Sequence, residues 1–224
     1  MKLFWGGIMI MVNVVFAAAA VQGAEPLKLP KPASQGQMSV EEALGKRRTV
    51  RQFARRGLDL AQVSQLLWGT DGISDPRGLR TAPSAGATYP LELYLVVGER
   101  SVKGLTPGLY HYRPAAHTLE LIQKGDLRAA VARDCLHQSW MAEAPVMVVF
   151  AAEYRRCMAR YGDRGIRYTH MEVGHAGQNL FLQAEALGLA CGIVGAFQDR
   201  ALQKTLHLPA NHEPLLVMPV GYSH

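Results

Sequence analysis

The sequence predicts one domain in which α-helices and β-strands are mixed. Three runs, at residues 91–97, 144–151 and 215–222, consist almost wholly of apolar residues and have the length of buried strands. A fourth segment, at residues 168–187, is apolar around most of its circumference at helical spacing, which predicts a buried helix. About 200 residues follow the N-terminal segment, enough for one domain that buries roughly 70% of its unfolded surface.

Residues 1–24 have the pattern of a signal peptide. Lys2 is followed by an apolar run from Leu3 to Phe16 that only Asn13 interrupts, and the small residues after it suit cleavage between residues 20 and 24. An uncleaved anchor over residues 3–21 is the alternative. We expect an exported, periplasmic protein with 23 basic and 18 acidic residues beyond residue 24. Its three cysteines, an odd number, argue against a disulfide framework.

Turn, cap and periodicity signals divide the rest of the chain. Residues 25–38 are predicted to form an extended, proline-rich arm, and residues 39–224 the folded domain. Helices are predicted at residues 39–46, 59–68, 126–135, 168–187 and 199–206. Strands are predicted at residues 91–97, 109–113, 118–123, 144–151, 190–197 and 215–222. Residues 154–167 alternate aromatic residues with arginines, a composition typical of a lid or an interface.

Six of the eleven residues at positions 46–56 are basic. A solvated face, a patch for nucleic acid or anionic lipid, and a phosphate site are the alternatives. The charge is confined to one turn, and Val50 and Phe53 are spaced as if they pack inward, which disfavours an extended nucleic-acid surface. Arg47 and Arg51 suit one phosphate monoester, since guanidinium groups bind phosphate oxygens as a fork.

Small residues and hydroxyls fill the loop at residues 83–90, Pro-Ser-Ala-Gly-Ala-Thr-Tyr-Pro, which leads directly into a strand. Such a loop brings its backbone close to a planar or phosphorylated ligand, although a polar connector is the alternative. Gly192 and Gly195 interrupt a later strand, which indicates a bulge or a close backbone approach to a ligand.

Candidate metal ligands in the predicted helix are His170, Glu172, His175 and Glu185. The two histidines are five residues apart, so they lie about 140° apart around a helix. The spacing is not that of a zinc-binding helix, and we predict no metal.

Four segments occur in a recognisable order: Arg47-Arg48-Thr49-Val50-Arg51, the loop at 83–90, residues 172–179 and residues 192–197. Together they resemble the nitroreductase family of FMN-dependent oxidoreductases, especially the branch related to SagB-type dehydrogenases that oxidise thiazolines and oxazolines in peptides. The resemblance covers residues 39–222. It implies an α+β nitroreductase-like fold, with a mostly antiparallel central sheet flanked by helices. It also implies an intertwined homodimer with two FMN sites at its interface, in which helix 168–187 is the central dimer helix.

The resemblance also implies which residues contact FMN. Arg47 would bind the phosphate, and Arg51 would approach the N1/O2 edge of the isoalloxazine, where a cation stabilises the reduced flavin. Val194 and Gly195 would place backbone N–H groups near N5. The implied FMN-binding residues are Arg47, Arg48, Thr49, Arg51, Pro83, Ser84, Ala85, Gly86, Thr88, Val194 and Gly195.

Two positions depart from the family pattern. Relatives often place a basic residue after the final strand, whereas this chain has Gly221-Tyr222-Ser223-His224, which leaves the phosphate to Arg47, Arg48 and either Ser223 or His224. Azoline-oxidising members use a Lys-Tyr pair, with lysine as base, where this chain has Arg160-Tyr161. Arginine stays protonated and is a poor base, so this candidate catalytic pair disfavours azoline oxidation and suits an anionic substrate.

The function implied by the resemblance is hydride transfer through flavin N5, to or from a small or peptide-borne substrate. The electron donor would be NAD(P)H or, since NAD(P)H is scarce outside the cytoplasm, another donor. A periplasmic FMN-binding protein without turnover is the alternative from a different class. A third hypothesis recruits residues 46–56 to anionic lipid or nucleic acid; we expect no nucleic-acid partner.

Overall fold

The computed structural model describes residues 25–224, so the predicted signal peptide lies outside the described residues. The α+β prediction is confirmed: seven strands form one antiparallel sheet in the order β1-β4-β3-β2-β5-β7-β6, flanked by six α-helices over this part of the chain. The strands are β1 Leu27–Lys28, β2 Leu91–Val97, β3 Gly108–Arg113, β4 Thr118–Lys124, β5 Val146–Ala152, β6 Ala190–Cys191 and β7 Glu213–Gly221. The helices are α1 Val40–Lys46, α2 Leu60–Asp71, α3 Arg128–Asp134, α4 Tyr154–Tyr161, α5 Arg164–Ala186 and α6 Asp199–Thr205.

Strands β2 and β5 lie at the centre of the sheet, and every residue of both is buried. Their side chains alternate between two hydrophobic layers because successive strand residues point to opposite faces. Leu93 and Leu95 of β2 join the layer formed with α2 and α5, whereas Tyr94 and Val96 join the layer formed with α3 and α6. Helices therefore cover both faces, which is why these strands are apolar apart from Glu92.

Two helices begin as their caps predict. The Ser39 hydroxyl accepts the Glu42 N–H at 3.1 Å, and Asp59 forms a reciprocal capping box with Gln62. The prediction that Gly69 ends α2 is wrong: the helix continues to Asp71, and the backbone of Gly72 ends it. Gly69 instead allows close packing against α5, since an added Cβ there would lie 2.8 Å from the Gln183 side chain.

The arginine-rich segment 154–167 is helical, which the sequence analysis did not predict. Gly162, at φ 55°, ends α4, and α5 begins at Arg164, four residues before the predicted start. Gly165 permits this tight junction, because a Cβ there would lie 2.7 Å from the backbone nitrogen of Met158. The α4–α5 corner thus depends on two glycines.

The strand predicted at residues 190–197 is much shorter than expected. Only Ala190 and Cys191 pair with β7 in the regular ladder. The chain then leaves the sheet, and Val194 returns to it for one pair of hydrogen bonds with Val217, at 2.9 and 3.0 Å. The two predicted glycines therefore mark an irregular segment at the sheet edge.

The predicted arm is held against the domain. Strand β1 pairs with Leu119 and Thr118 of β4, and the Gln65 side-chain amide bonds both the N–H and the carbonyl of Ala33. Over residues 25–224, no helix has the length and continuous apolar character needed to cross a bilayer.

Candidate active site

The first and last predicted segments meet at one end of the sheet. Thr49 forms a parallel bridge with Cys191, and the Val50 N–H donates to the Cys191 carbonyl at 3.0 Å. Gly192 packs so closely that an added Cβ would lie 2.8 Å from the Val50 carbonyl oxygen. Beyond it the backbone of Gly195 is exposed, with open space where a Cβ would stand. We call Arg47, Arg48, Thr49, Arg51 and residues 191–195 the arginine group.

The guanidinium groups of the arginine group have no acidic partner. Arg47 lies over the Phe181 ring at 5.3 Å, and Arg51 lies over the Trp140 ring at 5.9 Å. Arg48 donates only to backbone carbonyls of its own turn. Among residues 25–224, no carboxylate comes within ion-pair distance of these three arginines. This uncompensated positive charge fits a phosphate.

The loop at residues 83–90 is a short 3₁₀ turn braced by its own hydroxyls. Gly86 and Ala87 have φ values of 58° and 52°, and both are exposed. The Thr88 hydroxyl donates to the Ala85 carbonyl at 2.9 Å, and the Ser84 Oγ accepts the Tyr89 N–H at 2.9 Å. The hydroxyls of Ser84 and Thr88 thus hold the shape of the loop, while Pro83 and the tip remain exposed.

The predicted catalytic pair lies against this loop. Arg160 Nη1 donates to the Gly86 carbonyl at 3.1 Å, and an added Cβ at Gly86 would lie 2.5 Å from the Tyr161 hydroxyl. The Tyr161 ring meets Tyr168 edge to face, with centroids 5.1 Å apart. Arg160 and Tyr161 therefore touch the predicted flavin loop through the C-terminal end of α4. We call residues 83–88, Arg160, Tyr161 and Glu172 the loop group.

Behind the loop lies a buried acid, Glu172, which the sequence indicated both as a candidate metal ligand and as the first residue of the segment 172–179. Glu172 of α5 is 1% exposed, and no group among residues 25–224 meets either carboxylate oxygen in full hydrogen-bond geometry. Burial raises the pKa of the Glu172 carboxyl to about 7, while the adjacent Ser84 hydroxyl lowers it in part. Asp71 and Arg80, which the sequence analysis missed, form an ion pair beside it. The sequence signal for this pair is Asp71, a charged residue at a core-facing position of α2.

The two groups lie on opposite sides of α5. Phe181 of α5 contacts Arg47, whereas Glu172 of the same helix adjoins Ser84. Nine residues separate Phe181 from Glu172, which corresponds to about 14 Å along the axis and a half turn around it. The structure of one chain therefore joins Arg47 with Gly195 but places Ser84 elsewhere.

A second polar cluster lies between β2 and α4. Glu92, Glu153 and His212 are the only described residues whose ligand atoms are grouped for a metal, within 4.8 Å of one another. Arg156 already bonds both carboxylates, and His111 bonds Glu92 at 2.5 Å. Burial opposes ionisation of Glu92, but His111 and Arg156 outweigh it and hold its pKa at about 2. A divalent cation would have to displace the guanidinium, so we assign an ion-pair network.

Comparison with known proteins decides the family. The sequence model of the nitroreductase family matches residues 44–222. The chain belongs to the nitroreductase family. It is therefore an oxidoreductase of a family that typically uses a flavin.

Three proteins show what this nitroreductase-family chain is similar to. It is 43% identical over 185 residues to MJ1384 of Methanocaldococcus jannaschii, provisionally named a nitroreductase, covering 83% of this chain and 91% of that one. It is 27% identical to the microcin B17-processing protein McbC of Escherichia coli, covering 73% of this chain and 62% of McbC. A crystal structure of a provisionally named nitroreductase from Ralstonia eutropha JMP134 aligns with a TM-score of 0.78 and 28% identity over 90% of each chain. The predicted nitroreductase family is confirmed, and the relatives of the chain include a microcin-processing protein.

Proposed function

We propose that this chain is an FMN-dependent oxidoreductase that transfers a hydride to or from a small or peptide-borne substrate. The observation that carries the proposal is the uncompensated charge of Arg47, Arg48 and Arg51 beside the exposed backbone of Gly195. Arg47 and Arg48 would hold the phosphate, and Arg51 would face the electron-rich edge of the ring. The flavin, when bound, supplies hydride chemistry at N5.

The proposal includes a homodimer, because one chain places the two groups on opposite sides of α5. A second copy would bring its own loop at residues 83–88 to the arginine group. The exposed side of α5 supports this arrangement: Met171 is 53% exposed and Ile166 39%, and the space beside Gly174 is open. Apolar side chains flanking a glycine permit close approach of a second helix.

The substrate proposal rests on the loop group. Arg160 carries a fixed positive charge at the C-terminal end of α4, next to Gly86, and so suits a substrate with a carboxylate. McbC is named for processing a peptide, which supports a peptide-borne substrate for this chain as well. The donor would be NAD(P)H or, after export directed by residues 1–24, another reductant.

Anaerobic flavin spectroscopy tests the proposal. Protein loaded with FMN should be yellow and dimeric, should bleach with one member of a panel of donors, and should regain its colour with an acceptor. Protein that stays colourless with added FMN would refute the cofactor, and a monomer with bound FMN would refute the shared site. Bound FMN without acceptor-dependent reoxidation above the oxygen background would favour a flavin-binding protein without turnover.

Export has a separate test. The N-terminus of the protein recovered from the periplasm should begin at a residue from 21 to 24 by mass spectrometry. Recovery of the intact chain from the membrane would instead support the uncleaved anchor.

A further inference from the structure

Glu172 is buried in a way that a purely structural glutamate would avoid. Its carboxylate lies under the loop at residues 83–88 and is 1% exposed, and no group among the described residues meets either oxygen in full hydrogen-bond geometry. A buried polar group without partners destabilises the fold unless it is neutral or has a function. The Ser84 hydroxyl, in the loop that the proposed function places against the flavin, lies beside this carboxyl.

The charges around Glu172 indicate which acid holds a proton. The charges of Asp71 on α2 and of Arg80 both act on the Glu172 carboxyl of α5. Arg80 bonds directly to Asp71 and stacks on the Tyr89 ring at 4.6 Å, so it is committed to Asp71. Of the remaining charged groups, Glu92 acts more weakly on Asp71. Burial raises the pKa of the Asp71 carboxyl to about 7 as well, so near neutral pH the two carboxyls share one cation and hold a proton between them. The direct bond from Arg80 to Asp71 favours the proton on Glu172.

A path leads from Glu172 through the loop. The Ser84 Oγ accepts the Tyr89 N–H, so its own proton is free to be donated. Ser84 is half-buried, whereas Gly86 and Ala87 beyond it are exposed on the ligand side. The Ser84 hydroxyl thus lies between the buried Glu172 carboxyl and the exposed tip of the loop.

We propose that Glu172 is the buried acid of this site, and that it exchanges a proton with the bound substrate through the Ser84 hydroxyl. The proposal rests on the proposed function. In the reducing direction, Ser84 gives its hydroxyl proton to the substrate atom and takes the proton of the Glu172 carboxylic acid, which leaves a carboxylate. The Glu172 carboxylate then regains a proton from solvent. In the oxidising direction every transfer is reversed, so Glu172 is a positioning residue that acts through Ser84.

Titration of the carboxyl carbon tests the held proton without any cofactor. In protein labelled with ¹³C at glutamate carboxyls, the signal lost in Glu172→Gln should titrate at about pH 7. Glu185→Gln, which alters a half-buried glutamate of the same helix, should remove a different signal and leave this one unchanged. A midpoint below pH 5 for the Glu172 signal would overturn the proposal.

A quinone probe tests the transfer. Reduction of a quinone to a hydroquinone needs a hydride, which bound reduced FMN supplies, and one further proton, which Glu172 would deliver. In dithionite-reduced protein mixed anaerobically with the quinone, Glu172→Gln should slow reoxidation roughly 100-fold and abolish the loss of rate above pH 7. Glu185→Gln should match the wild type. Ser84→Ala should be slow while keeping the Glu172 titration.

The outcomes separate this proposal from the proposed function. Wild-type rate and pH profile in Glu172→Gln would overturn the buried acid and leave the flavin enzyme intact. Failure to bind FMN would refute the proposed function and with it the transfer step, while the carbon titration would still decide whether Glu172 holds a proton.

Discussion

The arginine group and the loop group differ in where their charged side chains lie. In the arginine group, three guanidinium groups lie near the surface without an acidic partner among the described residues, and two of them rest on aromatic rings. In the loop group, the hydroxyls bond within the loop and the one carboxylate is buried. The arginine group leaves its positive charge free to bind a ligand, whereas the hydroxyls of the loop group form hydrogen bonds that fix the shape of the loop. Under the proposed function, the first group would provide affinity for FMN and the second would control the reaction.

The largest expected effect is the pH dependence of stability, which comes from the loop side. The folded chain raises the pKa of Glu172 from 4.5 to about 7, so it binds this proton more tightly than the unfolded chain does. The free energy of unfolding should therefore fall as the pH rises from about 4.5 to 7, by at most about 3 kcal/mol from this group. Urea unfolding at a series of pH values should give a flatter profile for Glu172→Gln. Stability that rises over this interval, with the same slope in the variant, would contradict the assignment.

Arg47→Ala should produce the next largest effect, on the binding side. Removing a guanidinium that bonds a phosphate costs about 1.5–3 kcal/mol, which is roughly a 10- to 100-fold rise in the Kd for FMN. Arg55→Ala is the matched control, because Arg55 is an exposed arginine of the same basic stretch outside the arginine group. Both Kd values are measured by fluorescence titration of FMN. An equal loss of FMN affinity in the two variants would mean that the basic stretch attracts FMN by its overall charge and not through a specific bond from Arg47.

Two glycine variants compare the groups directly. Gly86 has a left-handed φ of 58° and abuts Tyr161, so Gly86→Ala should lower the free energy of unfolding by about 1–2 kcal/mol. Gly195 has open space at its Cβ position, so Gly195→Ala should change stability by less than about 0.5 kcal/mol while weakening FMN binding. Thermal unfolding and FMN titration of both proteins test this contrast. A large loss of stability in Gly195→Ala with little change in Gly86→Ala would contradict it.

Arg160→Ala should have the smallest effect on binding. Arg160 is exposed and donates one hydrogen bond to Gly86, so its loss should leave the Kd for FMN within about threefold and stability within about 1 kcal/mol. Turnover should nevertheless change, because the charge lies beside the proposed substrate position. Arg160→Lys is the conservative comparison. Kinetics indistinguishable from the wild type in Arg160→Ala would remove Arg160 from the site.

Local signals predicted much of the fold. The strands at residues 91–97 and 144–151 lie within two residues of their predicted bounds because an unbroken apolar run has few other solutions. The caps at Ser39 and Asp59 act within three residues of chain, so no distant contact is needed to predict them. Helix α4 was missed although Tyr154, Cys157, Met158 and Tyr161 recur at the i, i+3, i+4, i+7 spacing of one helical face. The arginines between them dominated the interpretation of the segment as a lid or an interface.

The sequence by itself determined the family, the mixed architecture and the positive charge of the first segment, since each depends on residue identity and order. Only the tertiary structure decided that Arg47 and Ser84 lie on opposite sides of α5, that β1 joins the sheet edge, and that no described group meets the Glu172 oxygens in full hydrogen-bond geometry. Whether the Glu172 carboxylate is buried, and whether it finds hydrogen-bond partners, depends on side chains of α2, the loop at residues 83–88 and α5 together. No local pattern contains that information, because the partners are brought together by packing over about a hundred residues of chain.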